Sequence, residues 1–275
     1  MTDGMQPDIA RFKEPVDRIL ARFTVAWVQD KAIERRARKY LAVTLALGGV
    51  AAGGAIVAMS GAWGIARPVT VAAAAAVLAI VGGRGWRTLH RLDIDDRKLR
   101  TVMRLLRILR ADIPRAAPVT LTVDLRRYVD ADPQPRLATV ARYRHAWLTL
   151  TAPLADGNVV TLALTDHIKR KRKRKRTVEV CFTRIRLAAR LSKRYRPVDG
   201  VLARLSPRVA PPPLRVLRVG RLAGRAGSPR ASDARLRAVF ESPRVGDVGA
   251  LPEADALLQT LGWLYGGLAA ARRTA

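Results

Sequence analysis

Eight consecutive cations form the most distinctive chemical feature of this sequence: Lys169, Arg170, Lys171, Arg172, Lys173, Arg174, Lys175 and Arg176. In a β-strand such a run places charges on both faces, and neither set can be buried without partners. We therefore predict an exposed connection or a projecting ribbon that binds anionic surfaces. The candidate partners are anionic lipid headgroups, an acidic protein and nucleic acid, and the alternative is a solvated loop without a dedicated partner.

The residues that usually carry catalysis or bind metals are sparse. His90, His145 and His167 lie far apart, without the spacing or the nearby cysteines of a zinc site. The single cysteine, Cys181, lies in an alternating apolar stretch, which predicts a small core residue. The sequence has no glycine-rich phosphate loop and no nucleophile elbow. We predict no catalytic, cofactor or metal site. An enzyme acting on an anionic or lipid substrate would need polar residues that converge from distant positions.

The charge balance points to a polyanionic partner. Lys and Arg number 51 against 22 Asp and Glu, which gives a formal net charge of +29. An excess of this size attracts anionic lipid or nucleic acid through long-range, salt-screened forces.

One strongly apolar block predicts a membrane hairpin. Pro15 to Tyr40 has the periodicity of an amphipathic helix, and its terminal cations precede the uncharged segment Leu41 to Ser60. Twenty helical residues span about 30 Å, so this segment predicts a membrane-spanning helix. The shorter apolar run Pro68 to Gly83 predicts a second span if Arg67 and Arg84 reach the headgroups, and the alternative is a re-entrant or interfacial segment.

Small residues recur at intervals of four in both runs, which favours close helix packing within the hairpin or a homodimer. They are Gly49, Gly53, Gly54, Ala58, Ala75, Ala79 and Gly83. Cations flank the outer ends of both runs, so we expect both termini on the cytoplasmic side of the inner membrane.

The remaining chain predicts a soluble α+β domain. Asp95 or Asp96 caps a basic amphipathic helix that ends near Ala111, and this helix either packs on a sheet or lies on lipid. Alternating segments predict mainly antiparallel strands, and a last helix covers 254–271. The strand candidates are 119–125, 147–151, 159–165, 178–182, 214–219 and 235–241.

The predicted fold class is therefore a membrane α-helical hairpin with two transmembrane helices, followed by a cytosolic α+β domain with a mainly antiparallel sheet. Its divisions are an N-terminal amphipathic helical segment (1–40), the hairpin (41–83) and the basic domain (84–275). The first functional hypothesis is a membrane-anchored, non-enzymatic interaction module that engages anionic lipid headgroups or an acidic partner. A membrane tether for nucleic acid and an enzyme are its rivals.

Overall fold

A computed structural model describes residues 9–60, 66–91, 94–131, 139–174, 176–192, 205, 214–222, 235–248, 251 and 253–272. The chain forms two compact units. The first is made mainly of Thr24–Ile94. The second contains Pro7–Phe23 together with Asp95–Ala275.

Two long helices dominate the first unit. Helix α1 runs over Val16–Met59 without a break, so the two predicted segments on either side of Tyr40 form one continuous helix. Helix α2 covers Ala66–Arg91. Among the described residues, α1 alone is long and apolar enough to cross a membrane, by length and composition, and its most apolar segment is not buried. The apolar part of α2, Thr70–Trp86, is shorter, so the predicted two-span hairpin is not confirmed.

The two helices approach each other through small residues. A Cβ added at Gly82 would lie 2.5 Å from the Thr44 hydroxyl oxygen, and one added at Gly85 would lie 3.5 Å from the Tyr40 ring. The pairing of later α2 residues with earlier α1 residues makes the helices antiparallel. Gly82 therefore allows a backbone approach that a larger residue would block.

In the described residues, the second unit is built on a seven-stranded antiparallel sheet with the order β1-β2-β3-β4-β5-β7-β6. The mainly antiparallel sheet predicted from the alternating segments is therefore confirmed. Gly157, with φ of +83°, provides the turn between β3 and β4. The strands are β1 Ile9–Glu14, β2 Val119–Asp124, β3 Val140–Pro153, β4 Val159–Arg172, β5 Thr177–Arg190, β6 Arg215–Leu222 and β7 Arg235–Glu241.

Helices cover one face of this sheet. Helix α3 (Asp96–Leu109) begins at its predicted cap, because the Asp95 carboxylate accepts a hydrogen bond from the Arg97 backbone N–H at 3.1 Å. Its apolar stripe is buried, which confirms a packed helix: Leu99, Val102, Leu106 and Leu109 are at most 1% exposed. Helix α5 (Glu253–Arg272) contacts α3 and β5, and its Trp263 ring meets Phe240 of β7 at 5.1 Å. The short helix α4 spans Tyr128–Ala131.

Strand β1 was not predicted from the sequence. It pairs with β2 along its whole length, and Phe12 packs on Phe23 at 5.5 Å between ring centroids. The sheet unit therefore includes residues that the predicted division placed in an N-terminal helical segment.

Candidate anion-binding surface

The central strands extend beyond their neighbours at one end of the sheet. Strand β2 pairs with β3 at Leu148–Thr151, and β7 pairs with β5 from Arg184 onward. Residues 140–146 of β3, 165–172 of β4 and 177–182 of β5 therefore continue as a three-stranded end, which together with the β4–β5 turn we call the projecting ribbon. In the described part of the chain, its one further β contact is a bridge between Cys181 and Val245.

The eight-cation run lies in this ribbon. Its first four residues, Lys169 to Arg172, are the last residues of β4, and the run continues through the turn, which a hydrogen bond from Lys173 N–H to the Arg176 carbonyl closes at 2.8 Å. The described members are exposed except Arg170, which is half-buried. Lys175 lies outside the described residues.

One face of the ribbon has its own small core. Ala141, Tyr143, Ile168, Cys181 and Leu251 form a buried cluster. Beside it, the Tyr128 hydroxyl donates a 2.8 Å hydrogen bond to Glu179, whose carboxylate lies 3.6 Å from Arg170. Burial raises the pKa of Tyr128, and the hydrogen bond to Glu179 raises it further. This core packs against one face of the ribbon, so the side chains of the opposite face are carried by a supported sheet.

The face of the sheet opposite the helices, here called the open face, is strongly basic. The strand register places cationic side chains from every strand except β2 on this face. Glu241 also lies there, 3.6 Å from Arg184, but the excess of positive charge is large. The cations are Arg11, Lys13, Arg142, Arg144, Lys169, Lys171, Arg184, Arg186, Arg190, Arg215, Arg218, Arg235 and Arg237.

An aromatic pair lies in the middle of the open face. His167 of β4 and Phe182 of β5 are cross-strand partners whose rings stack at 4.8 Å with an interplanar angle of 4°. The Arg244 guanidinium lies 5.7 Å from the Phe182 ring centroid. Burial lowers the pKa of His167, and nearby Arg184 and Arg144 lower it further. Burial and the neighbouring cations therefore favour the neutral form of His167.

The helix-covered face contains a polar network that sequence reasoning missed. Asp166 is fully buried, and its carboxylate accepts hydrogen bonds from Arg97 at 2.7 Å, Thr183 at 2.9 Å and Trp147 at 3.2 Å. The Arg97 guanidinium also donates to the Val248 carbonyl at 3.3 Å. The carboxylate thus joins two strands and helix α3.

A second part of this network centres on His145. Its Nδ1 lies 3.1 Å from Lys98 Nζ, and its Nε2 lies 3.1 Å from Asp124 Oδ2. Lys98 also donates to the Arg126 carbonyl, and Arg126 binds the Asp124 carboxylate through Nε and Nη2. Burial lowers the pKa of Lys98 to about 8, against the attraction of Asp95 and Asp166. Burial favours the neutral form of Asp124, but His145 and Arg126 hold the pKa of this carboxyl well below its ordinary value.

This network resembles catalytic chemistry in its residue types but lacks access. Lys98, His145, Asp124 and Asp166 are between 0% and 5% exposed, so a substrate has little access to their polar atoms. A sequence signal existed for Asp166 alone, because it follows Leu162 and Leu164 at the spacing that faces the core. The partners Arg97 and Lys98 are far away in sequence.

The other predicted residues are placed as follows. Cys181 is fully buried, and burial raises the pKa of its thiol to about 12. Of the small residues predicted to pack, Ala75 is buried, and a Cβ added at Gly83 would lie 3.9 Å from the Thr44 side chain. A Cβ added at Gly49 or Gly53 would have no neighbour within 4 Å, so neither glycine is at a close approach of the described residues. The side chains of His90 and Ala58 lie outside the described residues.

Comparison of the chain with protein-family models, with curated proteins and with solved structures finds no match.

Proposed function

We propose that this protein is a membrane-anchored, non-enzymatic module whose basic sheet domain binds anionic lipid headgroups at the cytoplasmic surface of the inner membrane. The observation that carries the proposal is the open face with its projecting ribbon, which concentrates cations from six strands opposite a helix-covered core. Each cation near an anionic bilayer contributes to binding through attraction that salt screens.

The anchor in this proposal is the pair α1 and α2. The exposed apolar part of α1 matches a bilayer in length and composition. Helix α2 has 26 residues, or about 39 Å. Its apolar part can form a second membrane-spanning segment if the side chains of Arg67 and Arg84 extend to the headgroups. The close approach at Gly82 supports an antiparallel hairpin. Both termini then lie in the cytoplasm, and a second copy packing on Gly49 and Gly53 is the proposed route to a homodimer.

Nucleic acid is the rival partner, and the His167–Phe182 pair is the observation that favours it, because bases stack on aromatic rings. The geometry weakens this alternative. One face of the Phe182 ring is covered by His167 and a cation lies against the ring, which leaves less open aromatic surface for a base. An acidic protein would use the same cations. An enzymatic role has less support, since the candidate acid–base residues are buried.

The test uses the full-length protein in neutral phosphatidylcholine nanodiscs and measures capture of vesicles with and without phosphatidylglycerol. We expect capture that requires phosphatidylglycerol and falls steeply with salt. Substituting Lys169, Lys171 and Lys173 with serine should weaken capture by roughly tenfold to a hundredfold and reduce the salt dependence.

The matched control removes the same charge elsewhere. Arg100, Arg107 and Arg115 are exposed on or just after α3, so their triple serine variant should bind vesicles nearly as the original protein does. Equal loss in both variants would show a diffuse charge effect. A stronger effect on binding of an RNA or DNA oligonucleotide than on vesicles would favour the nucleic-acid tether.

A further inference from the structure

The exposed face of the projecting ribbon carries apolar residues among its cations. Val140 is 42% exposed and Val180 is 40% exposed, and both lie on the open face. Val178, which is half-buried, lies beside them. Electrostatic binding alone does not account for valines at these positions.

The strand register interleaves the two kinds of residue. Val140, Lys171 and Val178 form one cross-strand row, and Arg142, Lys169 and Val180 form the next row on the same face. Neighbouring strands lie about 4.8 Å apart, and successive residues on one face of a strand lie about 6.7 Å apart. Six side chains therefore share a patch of roughly 10 by 7 Å, in which every valine has a lysine as its neighbour.

We propose that this patch inserts shallowly into the boundary between headgroups and acyl chains of an anionic bilayer, which deepens the proposed function and rests on it. Lipid phosphates and acyl carbons meet within a few ångströms at this boundary, and the patch offers a partner for each. The lysine stems pack beside the valines while their ammonium groups extend sideways to phosphates.

The alternation distinguishes a bilayer from a nucleic acid. A phosphate backbone is recognised by cations and hydrogen-bond donors, and it offers an exposed valine no apolar partner. The position of the patch fits the same partner. The ribbon extends past β2 and β7, so the patch lies at an end of the sheet that protrudes beyond these neighbouring strands.

The experiment replaces Val140 and Val180 with serine in the full-length protein, in the nanodisc assay described above. We expect about tenfold weaker capture of phosphatidylglycerol vesicles, because part of the exposed apolar area is no longer buried in lipid. The loss should persist at high salt, where the electrostatic contribution is screened. Binding of a mixed-sequence oligonucleotide should change less than twofold.

The control variant replaces Ile9 and Leu217, which are 51% and 40% exposed on the outermost part of the same sheet, with serine. It should capture vesicles as the original protein does. Equal capture by the Val140→Ser, Val180→Ser variant and the original protein would overturn insertion. If the lysine variant loses capture while the valine variant keeps it, headgroup binding stands and insertion alone fails.

A second readout locates the patch directly. A fluorophore attached through Val180→Cys should be quenched by lipids with brominated chains in anionic nanodiscs and unquenched in neutral ones. The native Cys181 is fully buried, so the label reports on position 180. Absence of quenching in anionic nanodiscs would refute the proposal even if vesicle capture falls.

Discussion

Replacing Asp166 with alanine should be among the most damaging single changes in the sheet domain. Its carboxylate is fully buried and is the shared acceptor for Arg97, Trp147 and Thr183. Alanine removes the charge opposite the Arg97 guanidinium, whose side chain is 12% exposed. The cation then stays buried with less compensation, and two neutral donors lose an acceptor.

The expected cost follows from this geometry. Removing one partner of a buried ion pair destabilises a protein by about 3 to 5 kcal/mol, because the remaining charge is left desolvated. The lost hydrogen bonds from Trp147 and Thr183 belong to the same network, so their contributions are not additive. For a domain of this size, each kcal/mol lowers the melting temperature by roughly 2 to 4 °C, which predicts a decrease on the order of 10 °C.

Thermal unfolding of the full-length protein, followed by tryptophan fluorescence, measures this effect. The control is Asp255→Ala, which breaks a 3.0 Å ion pair with Arg104 whose two side chains are 65% and 53% exposed. Solvent screens that pair, so its loss should cost less than about 1 kcal/mol. Adding Arg97→Met to the Asp166 variant should restore part of the stability. A melting temperature within 2 to 3 °C of the original protein for Asp166→Ala would contradict the reasoning.

Three further predictions concern pH, the first strand and topology. Because burial lowers the pKa of Lys98 from 10.5 to about 8, the unfolded chain binds more protons between these values, and stability should rise with pH across that window by up to about 3 kcal/mol. Denaturant unfolding at several pH values should show this rise in the original protein and a smaller one in Lys98→Met. A fragment of residues 88–275 lacks β1 and the buried Ile19 and Phe23, so it should lose cooperative unfolding; a sharp calorimetric transition would show these residues to be dispensable. Reporter fusions at Met1 and Ala275 should both indicate the cytoplasm, and opposite compartments would exclude two spans.

Local patterns predicted most of the sheet domain. Alternation located β2 to β5 because one face of each strand is buried, and the Asp156-Gly157 pair indicated the turn between β3 and β4. The N-terminal cap and the apolar stripe of α3 were also predicted from the sequence. These signals depend on residues close together in sequence, where geometry follows from the period of one element.

The missed features depend on contacts between distant parts of the chain. Strand β1 has a single buried aromatic residue, Phe12, and its identity as a strand depends on pairing with β2 more than one hundred residues later. His145 was predicted to be an ordinary polar residue because its partners are distant in sequence. Lys98 reaches it from helix α3, and Asp124 reaches it from strand β2. The open face likewise depends on the six pairing registers of the sheet, and none of them can be derived from charge composition.

The covered face of the sheet and the projecting ribbon contribute differently to the stability of the fold. Apolar packing and the Asp166 network stabilise the covered face, whereas the cations of the projecting ribbon repel one another and bury little surface. Among them Arg170 has the nearby carboxylate of Glu179, itself held by Tyr128. Folding alone therefore gives little reason to concentrate lysine and arginine at this end, and neutral residues there should leave stability level or raise it slightly. The proposed partner, a bilayer surface, is both anionic and apolar. It would account for positive charge that does not stabilise the fold and that lies among exposed valines on a ribbon with its own supporting core.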